Sequence, residues 1–211
     1  MRPAFALLSM CLCVCSSLSL AQQAVEMPPK LVNKLDNPSV SEPFERAMDK
    51  PWQTVKGDWQ VENGVLRGKE LESDKHAAVL SYQLPNRNSI IRFAFRVEGS
   101  TDGMHLSLNH KSGHLFRVVV TPKTISIQLD KDKKDPNSKV QVLATAKTNF
   151  EPEKWHTLQV EMKGKDVIVQ TDSGVQLSAS HDSLDVDKPN YRFIARGAYL
   201  TLDEIKIWPI K

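Results

Sequence analysis

The sequence predicts an all-β fold, an antiparallel two-sheet sandwich of the jelly-roll type. Three observations carry this. From about residue 44 onward, apolar residues recur at every second position in short segments. Gly, Asn, Asp and Pro separate those segments. No stretch keeps the 3.6-residue period of a long helix. Alternation of this kind means strands with one face buried and one face wet. About a dozen such strands must bury their apolar faces against one another, either as two packed sheets or as a barrel. The sandwich is the first expectation and a closed barrel the alternative.

The elements follow in order. Residues 1–21 read as an export signal: Arg2, an apolar run from Ala4 to about Val14, and small residues at Ser19 and Ala21. That run is too short to span a bilayer, and no later stretch approaches the roughly 20 apolar residues needed. The mature protein is expected to be secreted or periplasmic, without an integral membrane segment. All three cysteines, Cys11, Cys13 and Cys15, lie in this leader, so disulfides, zinc–thiolate sites and thiol catalysis are not expected beyond it. Residues 22–42 are rich in Pro, Gln, Asn and Ser and read as a flexible or extended arm. Residues 43–211 should form the sandwich, with room for one short helical turn near Pro43–Met48.

Charge bounds the partners. The formal net charge is +3, and loss of Arg2 with the leader leaves 27 basic against 25 acidic residues. Nucleic acid and anionic membranes favour stronger basic patches, so neither is expected as a partner. The run Asp130-Lys-Asp-Lys-Lys-Asp135 has carboxylates at 130, 132 and 135. Its interleaved lysines, the following Pro136, and the lack of the glycine and closing Glu of an EF-hand make it a solvated loop. No cofactor and no metal ligand set is expected, and nothing supports a structural calcium ion.

Within the sandwich, Trp59–Val61 and Val65–Leu66 flank Glu62-Asn63-Gly64, a hairpin turn, because Asn-Gly tolerates positive φ. Further strands are expected over Ala77–Tyr82, Ile90–Val97, Met104–Leu108, Phe116–Val120, Ile125–Leu129, Val140–Ala144, Leu158–Met162, Val167–Val169, Val175–Ala179, Tyr191–Ile194 and Tyr199–Trp208. In the last, Leu200 and Leu202 have one parity and Ile205 and Ile207 the other. A β-bulge near Asp203-Glu204 would place all four in the core.

The stretch "DGMHLSLNHKSGHLFRVVV" puts His105, His110 and His114 within ten residues. A three-residue turn at Lys111–Gly113 pairs Leu108 with Phe116 and Leu106 with Val118 on an apolar face. The other face then holds His105, Ser107, Asn109 and Arg117, with His105 opposite Val119, Ser107 opposite Arg117 and Asn109 opposite Leu115. A shift by one residue would mix the two faces. His110 and His114 pair beside the turn, and the differing parity of His105 and His110 disfavours a three-histidine zinc site. The polar row suits a polyol or an ordinary wet face. Arg92 and Arg96 would extend it if their strand is adjacent. Trp52 could stack on sugar rings, whereas Trp59, Trp155 and Trp208 are expected in the core. His156 and His181 are read as structural or surface residues.

Taken in order, three segments resemble one family. "PFERAMDKPWQTVKGDWQVENGVLRGKE" (43–70) carries a Phe, a Trp, and then Gly57, Trp59, Val61, Gly64, Leu66 and Gly68. "KWHTLQVEMKGKDVIVQTDSG" (154–174) gives a Trp-His strand and a Gly hairpin, and "GAYLTLDEIKIW" (197–208) a closing strand with an Asp before alternating apolar residues. This order is similar to the 3-keto-disaccharide hydrolase domain family, exported proteins common in planctomycete-type bacteria. The resemblance implies a concanavalin A-like sandwich, as in family 16 glycoside hydrolases, and a carbohydrate or glycoside as partner. The Glu-x-Asp-x-x-Glu strand of retaining family 16 enzymes is missing; "ELESD" (70–74) has carboxylates at 70, 72 and 74 but the wrong order. A two-carboxylate glycosidase is therefore not expected. Hydrolysis or elimination at a keto-glycoside would need a base, with His105, His76 and Glu70 as candidates, and a stabiliser such as Arg117. Ser107, Asn109, Arg117, Arg92 and Arg96 are the candidate ligand-binding residues. The alternative is a non-catalytic carbohydrate- or surface-binding module using the same face.

Overall fold

The structure, a computed structural model, describes residues 24–132 and 134–211. The expected leader, residues 1–21, lies outside the described residues. The strands are β1 (Val40–Glu42), β2 (Trp52–Lys56), β3 (Asp58–Glu62), β4 (Val65–Lys69), β5 (Ala78–Tyr82), β6 (Ser89–Glu98), β7 (Gly103–His110) and β8 (Gly113–Val120). They continue with β9 (Thr124–Leu129), β10 (Gln141–Lys147), β11 (His156–Lys163), β12 (Asp166–Thr171), β13 (Gln176–Ser180), β14 (Tyr191–Arg196) and β15 (Tyr199–Pro209). They form two antiparallel sheets. The eight-stranded sheet runs β13-β12-β11-β6-β15-β4-β3, with β1 also on β15; the seven-stranded sheet runs β10-β9-β8-β7-β14-β5-β2. The sandwich is the architecture found, not the barrel. No helix among the described residues is long and apolar enough to cross a membrane.

The inward residues of both sheets make one core. Phe93 of β6 meets Phe193 of β14 edge to face, with centroids 5.3 Å apart, joining the two layers. Phe95 packs on Phe150 at 5.4 Å, and Trp52 on Tyr82 at 4.6 Å. Tyr191 is fully buried and donates to Ser89 Oγ at 2.6 Å across the layers, while burial pushes its phenol up. Trp52, Trp59 and Trp208 are all buried. The register of β15 against β6 shifts between Asp203 and Lys206, and Leu200, Leu202, Ile205 and Ile207 are all at most 1% exposed. One extra residue thus re-phases the strand.

No helical turn forms at Pro43–Met48. Phe44 instead takes a positive φ of 52° and is 1% exposed, because the Glu42 carboxylate accepts its N–H at 3.0 Å. The side chain turns into the core rather than continuing a helix. In the β3–β4 hairpin Asn63 and Gly64 both have positive φ, 53° and 77°, the backbone a two-residue I′ turn needs. Gly68 of β4 lies opposite Trp59 of β3, and a Cβ there would sit 2.3 Å from the indole ring. Gly68→Ala is therefore expected to lower stability by about 1–3 kcal/mol through overpacking, read from the urea midpoint. An unchanged midpoint would mean that the ring moves freely.

The segment before β1 runs extended over the outer face of the eight-stranded sheet. Val25 N–H donates to Thr157 Oγ1 at 2.9 Å, and Lys30 and Leu31 N–H each reach a Glu161 carboxylate oxygen at 2.8 Å. Gln170 donates to Pro28 O at 3.1 Å, Trp208 Nε1 to Asp36 O at 2.9 Å, and Glu26 pairs with Arg92 at 2.8 Å. This strap, residues 24–39, buries Arg92, Gln159 and Glu161 to 2% exposure or less.

Candidate functional site

The site lies on the outward face of the seven-stranded sheet, around the histidine hairpin. The interior register is as the alternation requires: Leu108 opposite Phe116, Ser107 opposite Arg117, Leu106 opposite Val118, His105 opposite Val119. The turn differs. It has two residues, Lys111 and Ser112, so His110 faces Gly113 and Asn109 faces His114 rather than Leu115. A bulge at Leu115 takes up the extra residue, and both Leu115 and Phe116 are buried in the core. Burial of one more leucine outweighs the regular ladder. The same bulge rotates His114 onto the polar face, where its Nδ1 donates to Asn109 Oδ1 at 3.1 Å.

β14 completes the row. It pairs with β7 so that Arg192 lies opposite Ser107, Ile194 opposite His105 and Arg196 opposite Gly103. Tyr191, Phe193 and Ala195 point into the core and are at most 1% exposed; Arg192, Ile194 and Arg196 therefore share the outward face. The result is a groove of about 430 Å³ lined by Lys75, His76, Ala77, Val79, His105, His114, Arg117, Arg192, Ile194 and Arg196. Its walls hold four cationic side chains, three histidines and no carboxylate.

Two histidines are specialised by their surroundings. His76 follows a short 3-10 turn, Glu72–Asp74, and pairs with Leu71 in an isolated bridge. The loop is pinned where Asp74 accepts Gly57 N–H at 2.7 Å, a bond that holds the carboxyl below its ordinary value. His76 Nδ1 lies 2.8 Å from Ala77 O. A carbonyl only accepts, so Nδ1 carries the proton and Nε2 of the neutral ring keeps a free lone pair. His105 is different. Its Nδ1 is buried without a partner. Burial first, then Arg117 and Arg196, push it from 6.5 down to about 4, with Asp130 opposing weakly.

That depression has a measurable sign. The unfolded chain binds the proton near pH 6.5 and the folded protein near pH 4. The unfolded state thus holds more protons between those values, and stability present above pH 6.5 is lost as pH falls toward 4. The full shift corresponds to about 3 kcal/mol. Asp203, raised to about 6 by burial, acts in the opposite sense in the same range. Comparing wild type with His105→Gln at pH 7 and pH 4.5 isolates the histidine. The variant is expected to lose less stability on acidification; equal losses would mean that His105 is protonated in the fold.

The arginines divide in the same way. Arg117 Nε donates to Asp130 Oδ2 at 2.9 Å, and the Asp130 side chain is only 5% exposed, so this member of the 130–135 loop is not solvated. Arg192 is half-buried and makes no ion pair among the described residues; burial and then Arg117 push its pKa down. Ser107 is fully buried and its Oγ has no partner.

The sequence-derived candidates separate. His76, His105 and Arg117 line one groove, with Ser107 and Asn109 on the same face. Glu70 is exposed just past β4, its N–H donating to Gly197 O at 3.4 Å, and does not line the groove. Arg92 and Arg96 belong to β6, in the other sheet, and cannot extend the row. Arg92 is not exposed but lies under the strap against Trp208, 5.0 Å from the ring. Arg96 pairs with Glu98 at 2.7 Å and lies 5.0 Å over Trp155. Trp155 is half-buried under that guanidinium rather than in the core. His156 packs against Phe95 and Phe150, and His181 caps the turn Asp182–Leu184. Lys75, Arg192 and Arg196, which the sequence did not single out, also line the groove, as does His114, read from sequence as a turn residue. Parity of Tyr191–Arg196 could have placed the two arginines outward. The neighbour of β14 could not be read from parity.

A family model described as 3-keto-alpha-glucoside-1,2-lyase-like domain matches residues 45–195. No curated protein matches the chain. Among solved structures, the carbohydrate-binding module CBM66 from Bacillus subtilis is similar at 13% identity and TM-score 0.60, over 74% of this chain and 94% of that one. Porphyranase B from Zobellia galactanivorans is similar at 12% identity and TM-score 0.59, over 80% and 90%. A putative glycosyl hydrolase from Parabacteroides distasonis is similar at 15% identity and TM-score 0.53, over 76% and 89%. At these identities the likeness shows the fold, a concanavalin-like jelly roll.

Proposed function

Because the chain belongs to the 3-keto-alpha-glucoside-1,2-lyase-like domain family, we propose that it cleaves a 3-keto-glycoside by elimination in the groove of the seven-stranded sheet. The observation that carries this reading is His76, whose Nδ1 is tied to Ala77 O and whose Nε2 is left as a base beside four cations.

The chemistry follows from the ketone. A carbonyl at C3 acidifies the C2 proton. His76 Nε2 takes that proton, and the C–H electron pair forms a C2–C3 double bond as charge moves to the C3 oxygen. One cation of the groove wall stabilises that oxyanion. The charge then returns, a C1–C2 double bond forms, and the C1–O bond breaks. The departing oxygen takes up a proton, from the imidazolium or from water. The products are an unsaturated keto-sugar and the free alcohol; adding water across the new double bond gives net hydrolysis. His105 stays neutral among the arginines and lines the groove, where it is available to a sugar hydroxyl. The reaction is acid–base chemistry and calls for no cofactor. The expected leader would place it outside the cytoplasm, secreted or periplasmic.

A second reading is a carbohydrate-binding module. What favours it is a groove wall with no carboxylate, where a two-carboxylate glycosidase needs a pair. One experiment separates the two. The protein is incubated with a 3-keto-α-glucoside and with its unoxidised parent, and absorbance of the conjugated ketone is followed. Elimination predicts a rising band with the keto compound alone. Binding of either sugar without turnover would select the module.

A further inference from the structure

The charge in the groove exceeds what the proposed reaction uses. Four cations, Lys75, Arg117, Arg192 and Arg196, line it with no carboxylate among the lining residues. Asp130 reaches in only through its pair with Arg117. The histidines add no negative charge. His76 and His114 are held on a carbonyl and an amide oxygen, and His105 is neutral near pH 7. One oxyanion in the transition state would neutralise one of the remaining cations.

Arg192 is the sharpest case. Its flanking residues across the sheet are Ser81 on β5 and Ser107 on β7. Neither can neutralise it, and the guanidinium of Arg117 lies beyond Ser107 in the same row. A half-buried guanidinium facing another is costly unless something negative reaches it. Ser107, between the two arginines, is uncharged and fully buried, and its Oγ has no partner, so it supplies Arg192 with no counter-charge.

We propose that the sugar bound in this groove carries a fixed anionic group, a carboxylate or a sulfate ester, that sits on Arg192 and Arg196. This rests on the reading of the groove as the glycoside site and adds the substrate class. The planar guanidinium of Arg192 matches either oxyanion through paired N–H donors.

The test is calorimetric titration of the mature protein at low salt with three trisaccharides: an oligogalacturonate, a sulfated galactose oligomer and a neutral galactose oligomer. At least one acidic sugar is expected to bind about tenfold or more tighter than the neutral one; whichever of the two does so identifies the group as carboxylate or sulfate. In Arg192→Gln the ratio of acidic to neutral affinity should fall to about one, while Arg192→Lys keeps part of it. Should Arg192→Gln fail to fold, the exposed Arg196→Gln gives the same readout. Equal affinity for all three sugars, no binding, or a preference that survives both Gln variants overturns the proposal. Turnover separates it from the lyase reading. Acidic preference without cleavage of any 3-keto sugar keeps the anionic site and sinks the lyase. Cleavage of neutral and acidic 3-keto-glycosides at the same kcat/KM does the reverse.

Discussion

Replacing His76 with alanine is expected to slow cleavage of a 3-keto-α-glucoside by about 10²–10⁴-fold, the usual contribution of a positioned general base. The loss should fall on kcat, because the exposed ring contributes little to holding the sugar and much to taking the C2 proton. The fold should be untouched. The loop is anchored by Asp74 on Gly57 and by the Leu71–His76 bridge through backbone atoms, none of which needs the imidazole. Exchange of the C2 proton with deuterated water gives an independent reading. Wild type should exchange it and His76→Ala should not. A variant with normal turnover would remove His76 from the reaction and leave His105, despite its depressed basicity, and His114 as the histidines of the groove.

Glu161→Ala is expected to cost about 3–5 kcal/mol, because several buried donors lose their acceptor. The carboxylate is fully buried on the outer face of the eight-stranded sheet. It accepts from Lys30 N–H, Leu31 N–H, Gln159 Nε2 and Gln170 Nε2 at 2.8–3.0 Å. Alanine would leave those donors beneath the strap with no acceptor, each costing about 1–3 kcal/mol if it stays dry. The cheaper response is for the strap to lift and let water in. Amide exchange of residues 25–31 should therefore speed up before global unfolding. Glu161→Gln keeps one acceptor oxygen and should lie between. If Glu161→Ala matches wild type in denaturant midpoint and in exchange, the strap is held by its β1 pairing and not by this carboxylate.

How much of this was legible in the sequence depended on whether the signal was local. The core face of nearly every strand followed from alternation, because the side-chain period of a strand is two. The bulge in β15 followed from the change of parity between Leu202 and Ile205. What stayed hidden was set by distant partners. Arg92 reads as a wet residue by parity, yet a strap some 65 positions earlier covers it, as its pairing with Glu26 shows. Arg92 and Arg96 looked like neighbours of the histidine row because β6 precedes β7 in sequence. The chain crosses to the other sheet between them. The two-residue turn at Lys111–Ser112 was masked because Gly113 suits either turn length. The register beyond the bulge is decided by whether Leu115 is buried. Arg192 and Arg196 come from β14, which a stretch of 80 residues separates from its neighbour β7.

The separation of the two faces bears on function. Both carry clusters of charged residues. On the eight-stranded sheet Arg67 is shared between Glu62 and Glu98 and lies 4.1 Å over Tyr199, and Arg96 is held on Glu98 above Trp155. Arg67 and Arg96 are each paired with a carboxylate. On the seven-stranded sheet Arg192 and Arg196 make no ion pair among the described residues, beside a buried hydroxyl and a neutral imidazole.

The most direct measurement is a crystal structure of the His76→Ala variant soaked with an acidic 3-keto-glycoside. The account predicts the sugar on the seven-stranded sheet, with its anionic group on Arg192, its ring over His105, and C2 turned toward the place left by the imidazole. A sugar stacked on Trp155 beside Arg96, on the opposite face of the sandwich, would contradict it.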